Sequence, residues 1–330
     1  MNNLPTEITV IILDLLNRKS QINFIFTSKT NQILTKYWMI KEKIHVYGKI
    51  MEWRYYDHLT NIVIYKLLNK YPKKLQYLTF HDDFNEPITE CLPLSITHLT
   101  FGWCFNQSIK GCIPLSVTHL IFGHYFNKPI KDSGLWPNYI SHKNEPSHIP
   151  ISVTHLEFGE FFDQSVEKCL PSSIIHLKFG NYFNRPINDS IPLSVTHLTF
   201  GNYFNQSING CIPESVTHLT FGHYFNKPIY DSIPSSVTHL TFGCNFNQPI
   251  KNSIPSSVTH LIFGWAFNQP IEDSIPTSVT HLVFGNCFNQ SIECIPSSVI
   301  YLEIGFNRPI FENKIPTTVK HLKIDNKIIY

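Results

Sequence analysis

Ten histidines share one place in a repeating pattern: His98, His119, His155, His176, His197, His218, His239, His260, His281 and His321. Tyr77 and Tyr301 take that place near the two ends. Imidazole is the side chain best suited to hold a transition metal or to move protons near neutral pH. A metal site, however, needs ligands that converge from different directions, oriented by partners such as Asp or Cys. Residues one repeat apart form a straight file instead, with rings expected about 4.8 Å from one another. The column therefore predicts structural stacking and no metal. A second column is asparagine: Asn106, Asn127, Asn184, Asn205, Asn226, Asn247, Asn268 and Asn289, replaced once by Asp163. Its amides can bond the backbone of adjacent coils, and it is expected to point inward. No Ser-His-Asp set, phosphate loop or carboxylate pair stands apart from the repeat. No catalytic residue, cofactor or enzyme activity is expected.

The elements that position these columns follow from the period. Prolines mark the repeat at 72, 93, 114, 150, 171, 192, 213, 234, 255, 276, 296 and 316. The step is 21 residues, apart from 36 between Pro114 and Pro150 and 20 for the last two. A fixed period of this size means a solenoid, in which each copy buries its apolar face only against its neighbours. The unit reads P-x-S-V-T-H-L-x-F-G-x-x-F-N-x-P/S-I-x-x-S/C-I. Its V-T-H-L-x-F segment has the β-branched and aromatic content of a short strand. Side chains alternate along a strand, so Leu198 and Phe200, and their counterparts in other repeats, face the core. The histidine before each Leu then faces outward. Gly at the next position is expected to end the strand and permit a bend. The second Phe (Phe183, Phe204, Phe225, Phe246) and the Ile after it return the chain to the core. A polar pair such as Asn209-Gly210 turns it again, and Pro fixes φ where the next coil begins.

The pattern V-x-x-L-x-F-x-x-x-F-N resembles the L-x-x-L-x-L-x-x-N of leucine-rich repeats, with Phe in place of several Leu. It is similar to the FNIP repeat, seen here as FNRPI (Phe183 to Ile187), FNKPI (Phe225 to Ile229) and FNQPI (Phe246 to Ile250). The resemblance covers roughly residues 72–330. It implies a β-rich solenoid, a leucine-rich-repeat-like right-handed coil with one short parallel strand per repeat, and about 12 repeats spanning roughly 55 Å. It also implies an amoebal or giant-virus setting.

Residues 1–45 are not repeat. Leu4, Pro5, Glu7, Ile8, Ile12, Leu15 and Leu16, then Phe26, Lys29, Ile33, Leu34 and Trp38, resemble the F-box, with departures at Thr27-Ser28 and Asn31. Apolar residues at three- and four-residue spacing predict three short helices. Residues 46–71 read as a linker and N-terminal cap, with an irregular strand at Ile62-Val63-Ile64 and a short helix at Leu67-Leu68. The F-box resemblance implies that Leu4, Pro5, Ile8, Ile12, Leu15 and Leu16 dock a Skp1-like adaptor of a cullin complex. The other reading of the same segment is a helical cap, which every solenoid needs.

Composition narrows the partners. Net charge is +2 and charged residues are 15% of the chain, so no electrostatic footprint for nucleic acid is present. No apolar run reaches membrane-spanning length, and Met1-Asn2-Asn3-Leu4-Pro5 carries no basic leader region. The expected location is cytoplasmic, in the host if the protein is viral. Cys91, Cys112, Cys169, Cys211 and Cys294 stand two residues before the marker Pro, where Ser190, Ser232, Ser253 and Ser274 stand in other repeats. That column asks for a small residue, not for a disulfide.

Variation within the fixed pattern points to recognition. The residue between Leu and Phe runs Thr100, Ile121, Glu157, Lys178, Thr199, Thr220, Thr241, Ile262, Val283. The pair after Gly is rich in aromatics: Trp103, Tyr125, Tyr182, Tyr203, Tyr224 and Trp265. With Trp136 of the inserted loop 131–148, these are the expected target-binding residues. Lys320, Lys323, Asp325 and Lys327 make the last coil polar, which would protect an exposed sheet edge. The function this implies is the substrate-recognition subunit of a Skp1-cullin-F-box ubiquitin ligase with an unknown target protein. The alternative is a protein-binding scaffold or decoy without ligase coupling.

Overall fold

The computed structural model describes residues 43–46, 56–89, 91–132, 147–305, 315–324 and 327–329. The described chain forms one sheet whose strands follow one another in sequence order. It opens with β1 (Ile44–Val46), β2 (Asn61–Ile64) and β3 (Tyr77–Phe80). The repeat strands follow as β4 (His98–Thr100), β5 (His119–Ile121), β6 (His155–Glu157), β7 (His176–Lys178), β8 (His197–Thr199), β9 (His218–Thr220), β10 (His239–Thr241) and β11 (His260–Ile262). The sheet ends with β12 (His281–Phe284), β13 (Tyr301–Ile304), β14 (His321–Ile324) and β15 (Lys327–Ile328). Every neighbouring pair from β1 to β14 is parallel, and from β3 to β14 the registry sets each residue opposite its counterpart, as His239 lies opposite His260. β15 pairs antiparallel with β14 and covers the last edge, so an antiparallel strand does part of what polar residues alone were expected to do.

The expected alternation is present. Leu198 and Phe200 are buried with Val195, Phe204 and Ile208, and their equivalents make one continuous core along the stack. Two rows of Phe run through it. The first has rings 5.3–5.8 Å apart from coil to coil, as in Phe80–Phe101 and Phe158–Phe179. The second has them 6.2 Å apart at Phe183–Phe204 and Phe204–Phe225. The outward histidines are closer, at 4.2 Å for His197–His218. Spacing that grows from the sheet to the far wall bends the stack into an arc with the sheet on its concave side. Over a coil thickness of about 10 Å the difference amounts to roughly 0.2 rad per coil.

Three expectations need correction. The solenoid does not begin at 72. β1 lies at the boundary of the expected head and β2 in the expected linker, and both are full members of the sheet. Leu67-Leu68 is irregular chain between bends at Tyr65-Lys66 and Asn69-Lys70 rather than a helix, and the described residues contain a single short 3-10 turn at Tyr56–His58. The repeat glycine is not there for a bend. A Cβ on Gly201 would lie 1.9 Å from the carbonyl oxygen of Gly180, and one on Gly222 2.0 Å from that of Gly201. Glycine is required because successive coils touch backbone to backbone at this point. Positive φ occurs instead two residues after the core Ile, at Gly111, Asp189, Gly210, Asp231, Asn252 and Asp273. Gly, Asn and Asp are the types that tolerate it. Lys168 holds the same place at φ 53°. The three-helix head expected over residues 1–45 falls almost wholly on residues outside those described.

Candidate functional site: the concave face and its flanks

The histidine file lies on the concave face, one residue before each core Leu. Its rings are stacked at 4.1–4.3 Å from His98 to His281. From His98 to His281 all but His176, which follows Ile175, are held by the Thr before them: Thr217 Oγ1 lies 2.9 Å from His218 Nδ1 and donates to the Thr196 carbonyl at 3.2 Å. The same pair of contacts recurs at Thr118, Thr154, Thr238, Thr259 and Thr280. A hydroxyl has one proton to give. With it committed to the carbonyl, the imidazole must donate from Nδ1, which leaves Nε2 as an acceptor on the open face. Burial first, and neighbouring histidines second, hold His98, His119, His155, His197, His239 and His260 below the usual imidazole pKa. The threonine bonds thus favour one tautomer along most of the ladder, with Nε2 turned to the open face. Among the described residues no three His, Cys, Asp or Glu side chains converge as metal ligands.

Beside the ladder runs the variable row between Leu and Phe. Glu157 and Lys178 pair across adjacent strands at 2.6 Å, and Glu303 and Lys323 at 2.9 Å. A depression of about 400 Å³ opens over this part of the face, lined by His119, His155, Glu157, His176, Lys178 and Thr199.

The flank that each strand runs into carries the aromatics. Tyr125, Phe161, Tyr182, Tyr203 and Tyr224 form one file with centroids 5.3, 4.7, 4.7 and 4.8 Å apart. The four Tyr rings are each exposed. Trp103 belongs to the neighbouring column and stacks on His124 at 3.8 Å, whose Nδ1 meets Glu160 Oε2 at 2.8 Å. Trp265 stands in that column too, 57% exposed. Sequence reasoning left out Phe161, although it occupies the same repeat position as Tyr182. Trp136 lies outside the described residues, as do Leu4, Pro5, Ile8, Ile12, Leu15 and Leu16.

The asparagine column does not point inward. Its members are half-buried or exposed at the edge of the coil. Each Oδ1 accepts the backbone N–H of the corresponding residue one coil on, at 2.7–3.0 Å from Asn85 to Asn289. Gln206, Gln248, Gln269 and Gln290 add a bond to the same Oδ1 atoms. The small-residue column behaves as expected: Ser190, Ser232, Ser253 and Ser274 are buried, and burial pushes the Cys169 thiol up to about 11.

Known proteins place this architecture. The solved structure of CroV588, described as a novel circular LRR protein, aligns over 80% of this chain at 40% identity with a TM-score of 0.65. The alignment covers 46% of that protein, so this chain spans about half of its length. YopM from Yersinia enterocolitica WA-314 aligns over 81% of this chain and 67% of its own at 13% identity, with a TM-score of 0.37 that carries no argument. No curated protein matches the chain. The FNIP Repeat family matches six segments, 68–104, 105–161, 162–203, 204–245, 246–287 and 288–327. Each segment holds about two of the coils described above, and together they take in most of the sequence: the chain belongs to the FNIP repeat family, with a leucine-rich-repeat-like parallel solenoid as its fold.

Proposed function

We propose that this protein is a non-catalytic recognition scaffold whose concave face and aromatic flank hold another protein. The observation that carries this reading is the file of exposed Tyr125, Tyr182, Tyr203 and Tyr224 with half-buried Phe161 among them. The coil does not require it, because Cys104, Asn245, Ala266 and Cys287 occupy the same position in other repeats. Aromatic rings fixed on a rigid frame give contact area at little entropic cost. An arc with roughly 0.2 rad per coil would need about 30 coils to close. A partner would meet the concave side of the arc that the described coils form. Changing Trp103, Tyr203 and Trp265 together to Ala should abolish retention of partners by the full chain. Undiminished retention would place recognition elsewhere.

The finer reading is a substrate receptor for a Skp1-cullin ligase, supported by the F-box resemblance of residues 1–45. Leu4, Pro5, Ile8, Ile12, Leu15 and Leu16 would meet the adaptor, and catalysis would belong to other subunits. Skp1 should co-purify with the full chain and be lost from an Ile12→Asp, Leu16→Asp variant. A chain that never retains Skp1 would leave the scaffold or decoy reading in place. A truncation made for this purpose must stop before Ile44, because β1 belongs to the sheet.

A further inference from the structure

The four most exposed large apolar side chains in the described residues occupy one column. They are Leu193 at 83%, Leu94 at 79%, Leu115 at 73% and Ile151 at 69%. Each follows the marker Pro, in the turn closed by a bond from the Val or Ile three residues after that Pro to the Pro carbonyl. This turn leads into each strand, so the column runs along the flank opposite the aromatic file. Later coils put Ser235, Ser256, Thr277 and Ser297 in the same place, and their turns keep the same bond. The turn therefore has no need of an aliphatic residue.

Taken coil by coil, the column reads Lys73, Leu94, Leu115, Ile151, Ser172, Leu193, Glu214. Lys73 and Glu214 are exposed; within the chain Lys73 Nζ stands 3.7 Å from Asp57 Oδ2, and Glu214 Oε2 accepts from Ser235 Oγ at 3.2 Å. The order is self-complementary about Ile151. Reversed and laid on itself, it sets Lys73 against Glu214, Leu94 against Leu193, Leu115 against Ser172 and Ile151 against Ile151. A two-fold axis through Ile151, directed along the radius of the arc, produces this pairing. Rotation about a radius leaves the curvature of the two arcs superposed, so the contact holds along the whole column. Self-complementarity of this kind is the mark of an isologous dimer interface.

We propose that this flank is where a second copy of the chain docks, antiparallel, with Leu94, Leu115, Ile151 and Leu193 as the apolar centre and Lys73–Glu214 pairs closing both ends. Charge complementarity sets the register, because a parallel arrangement would bring Lys73 against Lys73 and Glu214 against Glu214. Seven column positions at about 4.8 Å per coil give a contact roughly 29 Å long.

No other partner is needed to test this: the full chain is run by analytical ultracentrifugation over a concentration series. The wild type should show a reversible dimer. Leu94→Ser with Leu193→Ser should shift dissociation at least tenfold toward monomer, with an unchanged melting temperature when both proteins are dilute enough to be monomeric, because serine already serves this turn elsewhere. Glu214→Lys should weaken the dimer to a similar extent, and adding Lys73→Glu should restore it. A wild type that stays monomeric throughout overturns the proposal. So does a dimer indifferent to the serine variant, or one in which the double charge reversal fails to restore what Glu214→Lys removed.

Discussion

The buried Phe and Gly columns and the outward His column are built by the same 21-residue unit, yet they bear on the molecule differently. Inside, the residue types hardly change from coil to coil, and each is fixed by contact with the coils before and after it. Phe204 is stacked between Phe183 and Phe225 at 6.2 Å, and Gly222 meets the carbonyl of Gly201 where a Cβ would collide with it. Outside, the histidines are equally regular, but neighbouring columns change freely, from Glu157 and Lys178 to Thr199 and from Tyr224 to Asn245. Interior regularity sets the stacking. The exterior keeps one constant spine and lets its other columns vary.

Breaking the interior should have the largest effect. Phe204→Ala removes a fully buried ring and should cost about 3–5 kcal/mol of stability in denaturant titration. Gly222→Ala adds only one methyl group, but the clash is with backbone, which cannot rotate away. A loss of about 3 kcal/mol is expected. A variant as stable as the wild type would mean that the coils can slide apart at this point.

The ladder should respond to acid rather than to volume. Its depressed members bind protons more weakly in the folded state than in the unfolded one. Their stabilising contribution is complete above the ordinary imidazole pKa of about 6.5 and is lost as pH falls below it. The melting temperature should therefore drop between pH 7.5 and 5. Replacing His197, His218 and His239 with Tyr should flatten the drop, since Tyr77 and Tyr301 already occupy the column. Carboxylates as a class titrate mostly below this window. Equal acid sensitivity in wild type and triple variant would rule out a coupled ladder.

The smallest effect belongs to the turn after the core Ile. Lys168 adopts a φ of 53° where other coils place Gly, Asp or Asn. Lys168→Gly should relieve the left-handed cost and raise stability by about 1 kcal/mol in the same titration.

How far these columns could be read from the sequence depended on what each residue responds to. The Leu and Phe positions, the outward His and the small Ser/Cys column follow from strand alternation and burial, which leave a periodic mark. Gly201 was assigned wrongly because its role is contact between coils, and one repeat by itself does not reveal its distance from the next; Asn205 was rightly expected to bond the adjacent coil but lies at the edge of its coil rather than inside it. β1 and β2 lack the repeat motif, so their pairing with the array left no periodic trace. Leu94, Leu115, Ile151 and Leu193 fall at a position that the repeat pattern leaves blank. Only their common exposure along one flank makes them a group. The aromatic flank was legible apart from Phe161.

The separation of a fixed interior from a recognising exterior is tested most directly in a Tyr182→Asn, Tyr203→Asn variant, since Asn245 already stands in that column. Partner retention and thermal melting should be measured on the same full-chain preparation. The account predicts that the variant melts as one cooperative array and loses partners that the wild type holds. Full partner retention by a folded variant, or collapse of the array itself, would contradict it.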